Sequence, residues 1–301
     1  MKNIIYSTVI YPCDLFDIFI KDYLKSVFMQ TCKTFDLLLV LDNVDVDIVK
    51  RSVKDFNHDD VKVHIKQISK KITPIELRKI QIVEAYEKKA DILIFSDFDE
   101  NVALNRVEEV VKNIDDFAFA FNDFYIVDDK LERLKDESFF SSRKIPAELN
   151  GYAEILSNNF VGLGSMAINL RKFPFEKMVF PKEIKALDWY IATSVLLSGN
   201  KGVALFDTYA NYRQHDSSFV GFDFKLDENK LMQGIDVKIA HYLQFKDCSD
   251  EFRVLHDKLI ELKNYIQING SEKYIKLVNE GFLTSDFCWW ENIKTKEELG
   301  L

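Results

Sequence analysis

Cysteine is scarce in this chain, and the four present, Cys13, Cys32, Cys248 and Cys288, keep no C-x-x-C spacing and no accompanying histidine pattern. That argues against a zinc site or a disulfide framework and points to a reducing compartment, so a cytoplasmic location is expected. Glycine and proline, at 10 and 5 of 301 residues, are too few for a low-complexity or disordered segment. Basic charge is also in deficit. The formal net charge of -9 offers no concentrated cationic face, which speaks against a nucleic-acid partner. No uncharged apolar stretch reaches the roughly 18 residues of a membrane-spanning helix. Membrane contact, where there is any, is expected to be peripheral, at the inner face. The first ten residues have no adequate apolar core for a signal peptide and read as a first strand.

What is abundant is apolar material: hydrophobic residues make up 47% of the chain and 25 of them are Phe. A chain of this length supports a main domain of about 200 to 230 residues with an appendage. The expected division is 1–225 and a helical extension, 226–301. Over the first 115 residues strand-like and helix-like segments alternate, as in a parallel α/β sheet. Ile4 to Ile10 reads as a strand, Leu15 to Met29 as a helix and Phe35 to Leu41 as a second strand. A helix follows from Asp47 to Phe56, then a third strand marked by Val61, Val63 and Ile65. Thr73-Pro-Ile-Glu76 has the N-cap hydroxyl, first-turn proline and third-position glutamate of a capping box. Phe117 to Val127 reads as a long strand, 128–158 as a polar loop or flap, and Phe160 to Leu170 as a strand. Ile184 to Leu197 reads as a helix closed by Gly199, and Gly202 to Phe206 as a short strand. Beyond Leu226 the pattern is helical. Phe252, Leu255, Leu259, Leu262 and Ile266 form a seam of two heptads, for packing on the body or for a homo-oligomer through the C-terminal helices. Trp289 and Trp290 read as part of a docked terminal helix or as a membrane-surface anchor.

The most informative stretch is Asp91-Ile-Leu-Ile-Phe-Ser-Asp-Phe-Asp-Glu100. An apolar run suited to a strand buried on both faces ends in two aspartates spaced by one residue, which packing does not explain. At the carboxyl end of a parallel strand, Asp97 and Asp99 would open into the crevice where doubly wound folds bind ligands. Hard carboxylate oxygens there suit Mg²⁺ or Mn²⁺, and an ion so held can grip a diphosphate. Tyr11 follows the first strand, Asp42 the second, and Arg78 lies on the capped helix. Asp42 suits a pyrimidine N3–H, Tyr11 a base to pack on, and Arg78 a base or phosphate. Taken singly, each also reads as a helix cap or a surface ion pair.

With these segments in order, the chain resembles the family 2 glycosyltransferases. The resemblance runs over about residues 3 to 221. It rests on Tyr6-Ser-Thr-Val-Ile-Tyr11, Ser26-Val-Phe-Met-Gln-Thr31, Leu38-Leu-Val-Leu-Asp-Asn43 and Arg78-Lys-Ile-Gln-Ile-Val-Glu-Ala85. It continues through Ile94-Phe-Ser-Asp-Phe-Asp-Glu100, Gly162-Leu-Gly-Ser165, Leu187-Asp188 and Tyr212-Arg-Gln-His215. The resemblance implies a GT-A fold, Rossmann-like and mostly parallel with flanking helices. It also implies transfer of a sugar from a nucleotide-sugar donor to a glycan or lipid-linked acceptor, with inversion, in surface-polysaccharide synthesis. It would make Asp188 the catalytic base, Asp99 a metal ligand, Asp97 its neighbour at the ribose and metal, and His215 a metal or phosphate contact. It would place Gly162 and Gly164 on the acceptor side. The chain departs from the family's frequent pattern at Leu187, where a glutamate is common, and at Leu41-Asp-Asn-Val44. Neither a Gln-x-x-Arg-Trp motif nor membrane spans are present, so single transfer is expected over processive synthesis. Two other classes compete. A sugar nucleotidyltransferase needs a glycine-rich loop after the first strand, and Tyr11-Pro-Cys-Asp-Leu15 has no glycine. A non-catalytic sugar- or nucleotide-binding module with a helical arm is the alternative.

Overall fold

A computed structural model describes residues 2–56, 60–214, 225–283 and 289–301. Contacts divide it into two compact units. The first comprises residues 1–156, 160–180 and 191–213, the second 157–159, 181–190 and 214–301.

The first unit is built on a nine-stranded sheet. In chain order its elements are β1 (Ile4–Ile10), α1 (Phe16–Phe28), β2 (Asp36–Asp42), α2 (Val46–Lys54) and β3 (Val63–Ile68). There follow α3 (Pro74–Glu87), β4 (Ile92–Asp97), β5 (Asn101–Val102), α4 (Arg106–Asn113) and β6 (Phe119–Val127). β7 (Glu148–Leu149), β8 (Met166–Asn169), the helix α5 (Leu187–Leu197) and β9 (Gly202–Arg213) complete it; the division between the units falls inside α5. The strand order is β3-β2-β1-β4-β8-β6-β9-β5, with β7 on β9. β1 to β4 are mutually parallel where they pair, β8 is antiparallel to β4 and to β6, and β6 is parallel to β9.

Side-chain alternation sorts the central strands onto two faces. Ile4, Tyr6 and Ile10 of β1, Leu37, Leu39 and Leu41 of β2, and Ile92 and Ile94 of β4 share one apolar cluster with α1, α2 and α4. The opposite set, including Ser7 and Val9, faces α3, whose Gln81 bonds Ser7. All seven residues of β1 are buried, as a central strand covered on both faces requires. The capping box is complete: Thr73 accepts from the Glu76 N–H, and the Glu76 carboxylate accepts from the Thr73 N–H. At Gly202 the space for a side chain is taken by the ring of Phe119 on the neighbouring strand, so a Cβ there would overlap it.

Several segments differ from the sequence reading. β3 begins at Val63, not Val61, and β8 keeps only four residues of the expected Phe160 to Leu170 strand. β9 runs for 12 residues instead of ending at Phe206. It survives because the pairing with β6 jumps: Asn122 faces Leu205 but Asp123 faces Tyr209, so three extra β9 residues bulge and pairing resumes. The polar segment after β6 is mostly irregular, yet it is pinned. Asp123 accepts from the Phe124 and Phe140 N–H groups at 2.7 and 2.8 Å, and the Phe124 and Phe139 rings stack at 4.3 Å.

In the second unit α6 (Glu228–Phe245) and α7 (Asp250–Asn269) pack together, followed by α8 (Glu272–Leu277) and α9 (Lys296–Leu299). Phe252, Leu259, Leu262 and Ile266 of the heptad seam are buried. Trp290 is buried, close to Gly234 of α6. Among the described residues no helix is long and apolar enough to cross a membrane.

Lys238 on α6 is buried with its ammonium donating to the Ile293 carbonyl at 3.2 Å. Burial pushes it down from 10.5 to about 8, against the opposing pull of Glu291 and Glu298 and with help from Lys294. Between about pH 8 and 10.5 the unfolded chain holds a proton that the folded chain has released, so stability rises with pH through that window. Below it the cost of the buried ammonium, about 3 kcal/mol, is fully present. Lys238→Met should therefore stabilise the protein most at pH 7, with the advantage narrowing by pH 10. Chemical denaturation of both proteins at the two pH values checks this, and an advantage independent of pH would refute it.

Candidate active site

The site grows from the end of β4. Ser96 turns toward α1, where its hydroxyl meets the Tyr23 hydroxyl at 2.9 Å. Alternation then directs Asp97 toward α3, and there Arg78 meets it: Arg78 Nη2 donates to Asp97 Oδ1. Arg78 Nη1 also donates to Gln81 Oε1 at 3.1 Å. Phe98, completely buried, returns to the α1 face against the rings of Tyr11, Phe16 and Phe19. Asp99 follows, beside Tyr11, whose hydroxyl bonds it. Burial first, then the charges of Asp99 and Asp97, hold the Tyr11 hydroxyl well above the usual phenol range, so it stays protonated and donates.

Two groups that sequence reasoning missed complete this corner. Glu100 is buried; burial, and after it the charges of Asp97 and Asp99, push its carboxyl well above the usual range, while Arg106 and Arg78 pull it down. Arg106 lies fully buried at the first turn of α4. It donates through Nη1 to the Tyr6 hydroxyl at 3.0 Å, and through Nη2 to the Phe95 and Gly164 carbonyls at 2.8 and 2.7 Å. An arginine at a helix N-terminus opposes the helix dipole, and that misfit was the available signal. Gln81 could have been found in the same way, as the polar member of the buried stripe Leu77, Gln81 and Ala85.

Gly164 closes the corner. Held by Arg106, its Cα lies against the carboxylates: a Cβ there would overlap Asp97 Oδ2 and stand 3.2 Å from Glu100 Oε2. Arg78 pins Asp97 from the other side, so the carboxylate has no easy retreat. Gly164→Ala should cost about 1 to 3 kcal/mol, measured by chemical denaturation. Most of that cost should vanish when Asp97→Ala removes the overlapped atoms, and a neutral Gly164→Ala would contradict the packing.

The other expected residues are placed as follows. Asp42 ends β2 on the same carboxyl edge of the sheet. Val9 pairs with both Val40 and Asp97, so Asp42 lies about two residues, or roughly 7 Å, farther along. Its Oδ1 accepts from Asn43 Nδ2 at 2.7 Å, and Asn43 itself takes a left-handed turn with φ 55°. The structure thus brings Arg78 to Asp97 and Tyr11 to Asp99, with Asp42 bonded to its own neighbour. Asp188, in the second unit, sits in the first turn of α5. Its Oδ1 accepts from Asn159 Nδ2 at 2.9 Å and from the Trp189 N–H at 2.7 Å. Trp189 is buried and stacks on His241 with ring centroids 3.7 Å apart. His215 lies outside the described residues.

Among the described residues no three His, Cys, Asp or Glu side chains are arranged to hold a metal ion by themselves. The corner still suits a hard divalent cation in another way. Mg²⁺ commonly binds one or two carboxylates and completes its shell with ligand phosphates and water, and Asp99 with Asp97 offers that donor type. The raised pKa of Glu100, caused after burial by these two aspartates, reports the surplus negative potential a cation would relieve.

No known sequence family and no curated protein matches the chain. Solved structures do. S. aureus TarS 1–349 in complex with UDP-GlcNAc is similar with a TM-score of 0.58 at 15% identity, over 92% of this chain and 77% of that one. The mannosyltransferase PcManGT from Pyrobaculum calidifontis, in complex with GDP-Man and Mn²⁺, is similar with a TM-score of 0.51 at 12% identity, over 92% and 79%. GalNAc-T7 with UDP, GalNAc and Mn²⁺ gives 0.52 at 14% identity, over 88% and 57%. The chain has the GT-A fold, a mostly parallel sheet flanked by helices, with further helices at its C-terminal end.

Proposed function

We propose that this protein is a glycosyltransferase that moves a sugar from a nucleoside-diphosphate donor to an acceptor hydroxyl with inversion at the anomeric carbon. The observation that carries the reading is the corner at the end of β4, where Asp97 and Asp99 stand beside Arg78 and Tyr11 at the carboxyl edge of a GT-A sheet. Similar folds bind UDP-GlcNAc in one case and GDP-Man with Mn²⁺ in another, which supports donors of this class.

In this reading Arg78 supplies a fixed guanidinium to the donor's phosphates or base, while Tyr11 packs against the nucleoside side and keeps Asp99 oriented. Asp97 holds Arg78 in place and faces the ribose and cation. A divalent ion, Mn²⁺ or Mg²⁺, held at Asp99 with His215 as a further candidate contact, would neutralise charge on the departing diphosphate. Asp42 is the proposed partner of the base. Asp188 is the proposed general base: it takes the acceptor's hydroxyl proton as that oxygen bonds to the anomeric carbon, and the bond from that carbon to the diphosphate oxygen breaks. Its carboxylate is oriented for the task by Asn159 and the Trp189 N–H. The acceptor is proposed to be a glycan or lipid-linked sugar of a bacterial-type surface polysaccharide, extended by single transfers.

Thermal-shift screening against UDP, GDP, CDP, TDP and CMP, with and without Mn²⁺, should find one diphosphate whose stabilisation depends on the metal. Asp99→Ala should lose the metal-dependent part of that shift. Asp188→Ala should keep it while losing about 10²- to 10⁴-fold in transfer rate. Unchanged transfer in both variants would overturn the site, and tight binding without turnover on any donor would favour the non-catalytic reading.

A further inference from the structure

The unexplained residue of the first unit is Gln81. It is fully buried on the face of α3 that packs on the sheet, where an apolar side chain would fill the space at no hydrogen-bonding cost. Both ends of its amide are nevertheless in use. Nε2 donates to Ser7 Oγ at 2.8 Å, and Oε1 accepts from Arg78 Nη1 at 3.1 Å.

Proton bookkeeping fixes which end points where. The single hydroxyl proton of Ser7 is committed to the Leu38 carbonyl at 3.0 Å, so toward Gln81 the Ser7 oxygen can only accept. The amide nitrogen must therefore face Ser7, and the amide oxygen must face the guanidinium. Ser7 is buried in the centre of β1, and its β2 partner Leu38 is buried too, so the chain of bonds is anchored in the most rigid part of the sheet. A flipped amide would set two N–H donors against Arg78 and leave two oxygens facing each other. The sheet interior thus dictates where an acceptor stands three residues along α3 from Arg78, on the same side of the helix.

The effect falls on Arg78. Its guanidinium is half enclosed by Gln81 Oε1, by Asp97 and, at 3.5 Å, by the Ser96 carbonyl. Among the described residues its Nε–H and one Nη2–H have no hydrogen-bond partner. Those two donors are what an anionic ligand would find.

We infer that Gln81 is a positioning residue: through its amide oxygen it transmits the fixed geometry of Ser7 and Leu38 to Arg78, and so presets the guanidinium for the phosphates of a nucleoside diphosphate. The inference rests on the proposed role of Arg78 in donor binding. Its physical content is preorganisation. A long side chain held before the ligand arrives loses little rotamer freedom on binding. Asp97 alone gives Arg78 one charged partner about which it can pivot; the neutral amide supplies the second fixed point without competing for its charge.

Gln81→Leu tests this, because it keeps the volume and leaves Ser7 bonded to Leu38; Gln81→Met serves should the leucine variant not fold. The ligand-free readout is nuclear magnetic relaxation at Arg78 Nε. It should report a restrained side chain in the parent protein and a mobile one in the Gln81 variant, and equal restraint in both would overturn the proposal. The second readout is calorimetric affinity for the nucleoside diphosphate, among UDP, GDP, CDP and TDP, that binds the parent with Mn²⁺. Gln81→Leu should weaken it about tenfold, the size of one lost hydrogen bond to a charged group. In an Arg78→Met background the same change should have no further effect, since a residue acting through Arg78 cannot act without it. An equal loss in both backgrounds would mark Gln81 as merely structural and overturn the proposal. If Arg78→Met itself leaves affinity unchanged, or no diphosphate binds, the donor role of Arg78 fails and the inference falls with it; if only Gln81→Leu is silent, the donor role stands and the positioning role fails.

Discussion

Three carboxyls within four residues at the end of a buried strand repel one another strongly once water is excluded, and the first unit is organised around making that tolerable. Asp97 and Glu100 meet two guanidiniums that approach from opposite faces of the sheet, Arg78 from α3 and Arg106 from α4. Interactions of this kind gain from the low dielectric of the interior, but breaking one partner leaves an uncompensated charge. Glu100 illustrates the balance, since burial and its neighbours raise its pKa in spite of both arginines. Polar support then extends inward. Arg106 reaches Tyr6 and two backbone carbonyls, and Arg78 reaches Gln81 and through it Ser7. The middle of β1 therefore carries Tyr6 and Ser7 on opposite faces, each serving the guanidinium on its own side.

That arrangement explains a feature of the sheet that apolar packing leaves open. A central strand covered on both sides favours continuous aliphatic residues, yet β1 reads Ile4-Ile-Tyr-Ser-Thr-Val-Ile10. The polar residues at its centre are not tolerated passengers. Two of them are the inner ends of hydrogen-bond chains whose outer ends are the charged groups of the site. Buried networks of this sort are costly when half satisfied and rigid when complete, so they transfer the order of the core to the surface.

What could be read from the sequence follows how local each determinant is. The Thr73 capping box, the run from Ile92 to Phe95 and the spacing of Phe19, Tyr23 and Val27 on α1 depend on neighbours within a few residues. All were legible. The length of β9 was not, because its pairing with β6 resumes only after a three-residue bulge, which no alternation pattern announces. β8 slots antiparallel between β4 and β6, and most of the expected strand around it is irregular, shaped by Gly164 lying against Asp97. In the site, Asp97, Arg78, Tyr11 and Asp99 were visible as residue types at strand and helix ends. Glu100, Arg106 and Gln81 were not, since a buried charge or amide declares its purpose only through partners distant in sequence. Arg106 and Gly164 are 58 residues apart, and Gln81 and Ser7 are 74.

The two aspartates differ because of the residue between them. In a continuing strand, Asp97 and Asp99 would point to the same face and share one environment. Phe98 prevents that. It is fully buried among Tyr11, Phe16 and Phe19, and the chain turns immediately after it, with the Glu100 N–H bonded back to the Asp97 carbonyl at 3.3 Å. The aromatic anchor thus ends the strand with Asp97 directed to α3 and Arg78, and delivers Asp99 to Tyr11 on the far side of the turn. Asp97 is thereby paired with the Arg78 guanidinium, whereas Asp99 meets the Tyr11 hydroxyl. The burial of one phenylalanine therefore divides an apparently symmetric motif into a member turned to Arg78 and a member turned to Tyr11.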